Sequence, residues 1–253
     1  MDYGERELRR RSEGPDVVEL QVRLAGFRGT VPDGDFGPGT ERQVMSFQRD
    51  YMKLPEPSGV ADGDTLRAID RFAAEFPIDF AALRCQCREC GGFGQRRFKG
   101  LFTAGRPAAE AFHRYEYPGV HRMLLWAVRA AFFYMPEHRF VVTSCYRCGV
   151  DNERRGRSST NHHGKAIDID IVQKPGEDKR ADMLKCDAAR GRIVATADAQ
   201  IGWSAPNRKA LEPSSIAPTW VHYDVRCYEP KHLGDEMFCT TLEALDNRKP
   251  IRI

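Results

Sequence analysis

The sequence has no long hydrophobic run. Its longest apolar stretch, 123–135, is broken by Arg129 and stops well short of the roughly 18 to 20 residues that carry a helix across a bilayer, so no helical membrane insertion is expected. A secretory leader is missing as well. The first thirty residues pass from an arginine cluster (Arg6, Arg9, Arg10, Arg11) into an amphipathic segment, without an apolar region of about 7 to 15 residues or a small-residue cleavage site. The expected address on synthesis is the cytoplasm. Charge of one sign is also scarce: 39 basic residues against 36 acidic ones leave +3 in 253 residues, too little for the concentrated basic stripe of a nucleic-acid binder. Nor is there the composition of a disordered chain, since 41% hydrophobic and 30% charged residues are ordinary for a globular protein. At about 150 residues per domain, this length suits one large or two small domains.

What is present falls into two parts. From Asp16 the chain reads DVVELQVRLAGF, with Val17, Leu20 and Leu24 on one helical face. A dense turn follows, Asp33-Gly34-Asp35-Phe36-Gly37-Pro38-Gly39. Thr40 with Gln43 three positions later has the form of a capping box, which places the start of a second helix there, ahead of Val44, Phe47 and Tyr51. Asp62-Gly63-Asp64 then introduces a shorter third helix with Leu66 and Ile69. LQVRL, DGDFGPGT, the Phe47-Gln48 pair and GVADGDTLRAI together resemble the three-helix bacterial peptidoglycan-binding domain over about residues 14–72. The resemblance implies peptidoglycan as partner, and the expected domain is 1–77 with a charged N-terminal extension.

Residues 78–116 read as a linker and irregular lead-in, carrying Cys85, Cys87 and Cys90 ahead of a glycine-rich stretch. The run 120–134 has the length and apolar character of a largely buried helix, and 140–143 reads as a short buried strand. Ser144-Cys145-Tyr146-Arg147 would lie at that strand's end, where scaffolds present functional side chains.

The most informative segment is Asn161-His162-His163-Gly164-Lys165-Ala166-Ile167-Asp168-Ile169-Asp170-Ile171. On a strand its isoleucines face one way while Asp168 and Asp170 face the other. A second segment alternates in the same way, with Val221, Tyr223 and Val225 on one side and Trp220, His222 and Asp224 on the other. Two such faces side by side bring imidazoles and carboxylates together, the donor set of a catalytic zinc site with an open water position. Two solvated strand faces with incidental histidines are the plain alternative.

SCYR, NHHGKAIDI and WVHYDV, in that order, resemble the zinc peptidases of the D-Ala-D-Ala carboxypeptidase and L-alanyl-D-glutamate peptidase group, family M15, over roughly residues 110–228. The resemblance implies an α+β fold: a small three-helix N-terminal domain followed by an α+β peptidase domain, 78–253, with a mainly antiparallel sheet. It implies Zn2+ held by His162, Asp168 and His222, and Arg147 holding a carboxylate of the peptide stem. The family's first ligand stands seven residues before the aspartate, which here is Asn161, so the His loop is one residue short and His163 is a substitute for His162. The family's acidic base, three residues before the last histidine, is replaced by Thr219. Asp224 is then either the catalytic base or a group that orients a ligand imidazole, and Glu212 and Asp170 remain further acidic options.

Eight cysteines without an export leader argue against a disulfide framework. Cys85, Cys87 and Cys90, together with Cys145-x-x-Cys148, have spacing that could form a structural metal site; ordinary thiols, or disulfides formed after release, are the alternative. His113, His121, His138 and His232 read as core or surface histidines. The expected whole is a monomeric, endolysin-like peptidoglycan hydrolase that binds the wall and cuts an amide of its peptide stem. The alternatives are a non-catalytic wall-binding protein with a degenerate peptidase fold, a metal-free glycosidase, and a cytoplasmic dipeptidase.

Overall fold

The computed structural model describes residues 3–95, 116–157, 162–202, 209–225 and 229–247. Asn161, His113 and Cys227 lie outside the described residues. The fold is α+β, with helices first and a mainly antiparallel sheet after them.

Helices α1 (Pro15–Arg23), α2 (Pro38–Asp50) and α3 (Gly63–Glu75) enclose a core of Val17, Leu20, Leu24, Phe27, Val44, Phe47, Ile69 and Phe72. Two buried glutamines tie the glycine turns at Gly34 and Gly59 to it. Gln21 accepts from Gly34 N–H and donates to Asp33, while Gln48 accepts from Gly59 N–H and donates to the Val60 carbonyl. Asp62 caps α3 by accepting from Thr65 N–H at 2.8 Å, as the sequence suggests. The capping box at Thr40 does not form. Pro38, whose fixed φ suits the first helical position, starts α2 three residues earlier, with Gly37 as the N-cap. This leaves Thr40 and Gln43 inside the helix, where they bond to α1: Gln21 donates to Thr40 Oγ1, and Gln43 donates to the carbonyls of Gln21 and Leu24.

After α4 (Phe80–Leu83), the short strand β1 (Val120–His121) pairs with β7 (Phe238–Cys239), and α5 (Arg122–Tyr134) begins only at Arg122. The five-stranded sheet has the order β2 (Phe140–Ser144), β3 (Ala166–Ile171), β6 (Val221–Val225), β5 (Lys209–Leu211), β4 (Gln200–Ile201); only β4 and β5 run parallel. Residues 140–143 are therefore not a buried strand. They lie on an edge, and Val141 is 43% exposed. Central β6, by contrast, is buried at all five positions. Helices α5 and α7 (Lys179–Ala197) pack on β6 and β3.

The helical unit and the sheet share a packed boundary. Glu19 of α1, fully buried, accepts from Arg122 of α5 at 2.7 and 2.8 Å and from Arg23 at 2.6 Å. Phe27 contacts Phe133 and Tyr134, and Arg129 forms a fork onto Asp246, just past α8 (Leu242–Leu245).

Candidate metal centre

Antiparallel pairing sets the site. Asp168 of β3 stands opposite His222 of β6, and Ala166 opposite Asp224. Side chains paired across strands share a face, so Asp168 and His222 meet: His222 Nδ1 lies 2.7 Å from Asp168 Oδ1. The third member comes from the turn before β3. His162 Nε2 is 3.3 Å from Asp168 Oδ2, and its other nitrogen, Nδ1, donates to the Cys145 carbonyl at 2.7 Å. That bond leaves Nε2 of His162 as the nitrogen with a lone pair, directed at the carboxylate. Gly164 makes the turn possible. Its φ is +120°, and a Cβ there would sit 2.3 Å from the Gly119 carbonyl oxygen.

One donor atom each from His162, Asp168 and His222 falls within 4.8 Å of the others. Burial disfavours the charged form of Asp168, yet the two imidazoles outweigh it and hold the carboxyl below the usual carboxylate range. Burial likewise opposes charge on His222, but Asp168 and Asp224 on either side push its pKa up to about 10. In His162 burial prevails over Asp168 and lowers the imidazole's pKa. A cation held by these three residues would displace the proton shared between His222 and Asp168. Two buried imidazoles and one half-buried carboxylate, with one His already fixed by its outer nitrogen, fit zinc in its three-ligand, open-position form.

The donors lie at the floor of a cleft of about 420 Å³ walled by Arg147, Arg157, Glu212, Thr219 and Trp220. Arg147 Nε is buried and has no hydrogen-bond partner among the described residues. Burial pulls the Arg147 guanidinium's pKa down and Asp168 opposes that. Glu212 follows β5 directly: Leu211 pairs with Tyr223, and Glu212 N–H donates to the His222 carbonyl at 3.3 Å. Asp168 and His222 therefore stand opposite each other on β3 and β6, and Glu212, one residue past β5, is bonded level with His222.

The remaining candidates are placed elsewhere. His163 turns away, with Nε2 3.1 Å from the Asn152 amide nitrogen. Asp224 is buried behind His222, its Oδ2 3.4 Å from His222 Nε2, and does not line the cleft. Asp170 reaches the cleft wall but is not among the grouped donors; burial, Asp182 and Asp168 raise its pKa. Cys85, Cys87 and Cys90 gather around Cys148. His121 and His232 are buried together, with His121 Nε2 3.0 Å from the His232 carbonyl oxygen. Sequence reading missed the Cys145 carbonyl and Arg157. A backbone carbonyl has no residue-type signal, and Arg157 is one of several arginines in its stretch.

Residues 13–69 match the family described as "Putative peptidoglycan binding domain". Over 169 residues the chain is 27% identical to the zinc D-Ala-D-Ala carboxypeptidase of Streptomyces albus G, an alignment covering 62% of this chain and 58% of that protein. The chain joins a peptidoglycan-binding type of domain to a zinc D-Ala-D-Ala carboxypeptidase homologue. The chain spans 58% of the length of that relative. Among the described residues, no helix is long and apolar enough to cross a membrane.

Proposed function

We propose that this chain is an endolysin-like peptidoglycan hydrolase with a wall-binding unit at 1–77 and a zinc peptidase unit at 78–253, cutting an amide bond of the peptide stem. The observation that carries this reading is the convergence of His162, Asp168 and His222 on the floor of a cleft whose wall holds the unsatisfied Arg147 Nε. Zinc bound by these three residues would polarise the scissile carbonyl and lower the pKa of a bound water towards about 7.

The chain's own groups supply the rest. Arg147 binds a stem carboxylate by a charge-assisted pair, which aligns the peptide along the cleft. Glu212 takes the proton of the attacking water and returns it to the leaving amine, replacing the acid that Thr219 lacks. Asp224, 3.4 Å from Nε2 of His222, holds the ring by its charge so that Nδ1 faces Asp168. The helical unit holds the enzyme on an insoluble polymer and so raises its effective concentration at the bonds it cuts.

Mass spectrometry of products released from purified peptidoglycan tests the reading, comparing wild type, chelator-treated protein and His222→Ala. New amino and carboxyl termini from the stem, lost in both controls, are expected. Binding without release would favour the non-catalytic reading, and new reducing sugar ends that persist with chelator would mean a glycosidase.

A further inference from the structure

A second cluster of donor atoms consists of sulfur. Cys85, Cys87 and Cys90 come from the turns after α4, and Cys148 is the N-cap of α6 (Gly149–Arg154). All four Sγ atoms lie within 4.8 Å of one another, and the Cys148 and Cys87 sulfurs are 3.4 Å apart. Four sulfurs at about 2.3 Å from one zinc ion stand about 3.8 Å from each other. The 3.4 Å pair and the 4.8 Å limit on the rest are compatible with that value.

Backbone amides are already aimed at these sulfurs. Glu89 N–H and Cys90 N–H point to Cys87 Sγ at 3.3 and 3.4 Å, Cys148 N–H to Cys85 Sγ at 3.4 Å, and Asp151 N–H to Cys148 Sγ at 3.5 Å. N–H groups aimed at sulfur in this way are the donors from which a metal-bound thiolate accepts. Cys85, Cys87 and Cys148 are buried and Cys90 is half-buried at the rim. Cys145, which the sequence pairs with Cys148, is not part of the group.

We propose that Cys85, Cys87, Cys90 and Cys148 hold a structural zinc ion, separate from the histidine site. Four protein thiolates close a tetrahedral shell and leave no position for water or substrate, which separates this site in kind from the three-donor one. Its place in the fold gives it a purpose. The loop that it would fasten, 145–148, contains both Arg147 and the Cys145 carbonyl that fixes His162. The same junction is stitched by Tyr146 N–H to the Leu83 carbonyl, by Arg154 to the Cys87 carbonyl, and by Glu116, whose carboxylate accepts from Gly149 and Gln95 N–H. The ion would be the covalent-strength fastening in a seam otherwise held by hydrogen bonds.

The test is metal counting and cobalt spectroscopy on the full chain, purified without chelator. Asp168→Asn disables only the histidine site, so it is expected to keep one zinc per chain, whereas Cys148→Ser and Cys90→Ser each lose one zinc relative to wild type. Cobalt exchanged into wild type and Asp168→Asn is expected to give intense sulfur-to-metal charge-transfer absorption, a signature that a nitrogen and oxygen site lacks. The wild-type spectrum carries the test even if Cys148→Ser does not fold. Absence of zinc from Asp168→Asn with all four thiols open to alkylation would overturn the proposal. So would pairwise oxidation of these cysteines, seen as a mass lower by two hydrogens per pair, or iron in place of zinc. Because the readout is the sulfur-bound metal, loss of hydrolysis alone bears on the histidine site and leaves this one standing.

Discussion

His222 lies between two carboxylates, its Nδ1 2.7 Å from Asp168 and its Nε2 3.4 Å from Asp224. The two acids differ in what else they meet. Asp168 also faces His162 and the cleft, whereas Asp224 is buried behind the ring. Asp224→Asn is therefore expected to weaken zinc binding or turnover by about 10- to 100-fold, the usual cost of losing a partner that orients a ligand imidazole. Activity should recover in part with added zinc. A loss of turnover at full zinc occupancy, with no change in metal affinity, would instead make Asp224 a proton carrier.

Glu212→Gln separates proton transfer from binding. It should lower kcat by about 10²- to 10⁴-fold while zinc content and peptidoglycan binding hold, because general-base catalysis is worth that much. Thr219→Val, in the same cleft wall, should cost far less. Equal effects of the two substitutions, each measured by release of stem peptides, would remove Glu212 from its proposed role.

Glu19 is the acid shared by Arg23 and Arg122 at the boundary between the helical unit and α5. Glu19→Gln would leave two buried guanidinium groups short of their counter-ion, at a cost of about 3 kcal/mol, or roughly 6 to 12 °C in melting temperature for a chain of this size. Scanning calorimetry should also show wild type melting in one transition, since Phe27, Glu19 and Asp50 all contact α5. Two separate transitions in wild type would mean that the units are uncoupled.

Acid should destabilise the fold through His121, which burial holds neutral with a pKa lowered to about 3. The unfolded imidazole takes up its proton near pH 6.5. Above that value the folded state retains the full contribution of neutral His121, and it loses stability as pH falls from about 6.5 towards 3, by about 1.4 kcal/mol per pH unit. His121→Phe should flatten this limb of a urea-denaturation profile against pH. An unchanged slope would place the acid sensitivity elsewhere.

Much of the site was legible because strands obey a period of two. The alternation in 166–171 and 221–225 places Asp168 and His222 each on a polar face before any pairing is known, and the antiparallel register then sets one against the other. Local grammar failed where a longer-range contact competed. Thr40 and Gln43 have the spacing of a capping box, but their side chains bond to α1, and Pro38 starts the helix instead. Residues 140–143 are apolar enough for a core strand, yet pairing leaves them with a neighbour on one side only. The choice between His162 and His163 was likewise open in one dimension. The left-handed Gly164 turn sends the first ring to Asp168 and the second to Asn152.

By itself the sequence determined the three N-terminal helices and the residue types from which a zinc site could be built, since these rest on periodicity and turn chemistry within short windows; the mainly antiparallel α+β unit after them was implied by the family resemblance. Tertiary structure alone decided which groups meet. It put Glu212 level with His222 through strand pairing, buried Asp224 behind the ring, and brought Cys148 to three cysteines some sixty positions earlier. Contacts of this kind depend on how strands align and which turns close. They are set by the packing of the whole chain, and no local pattern encodes them.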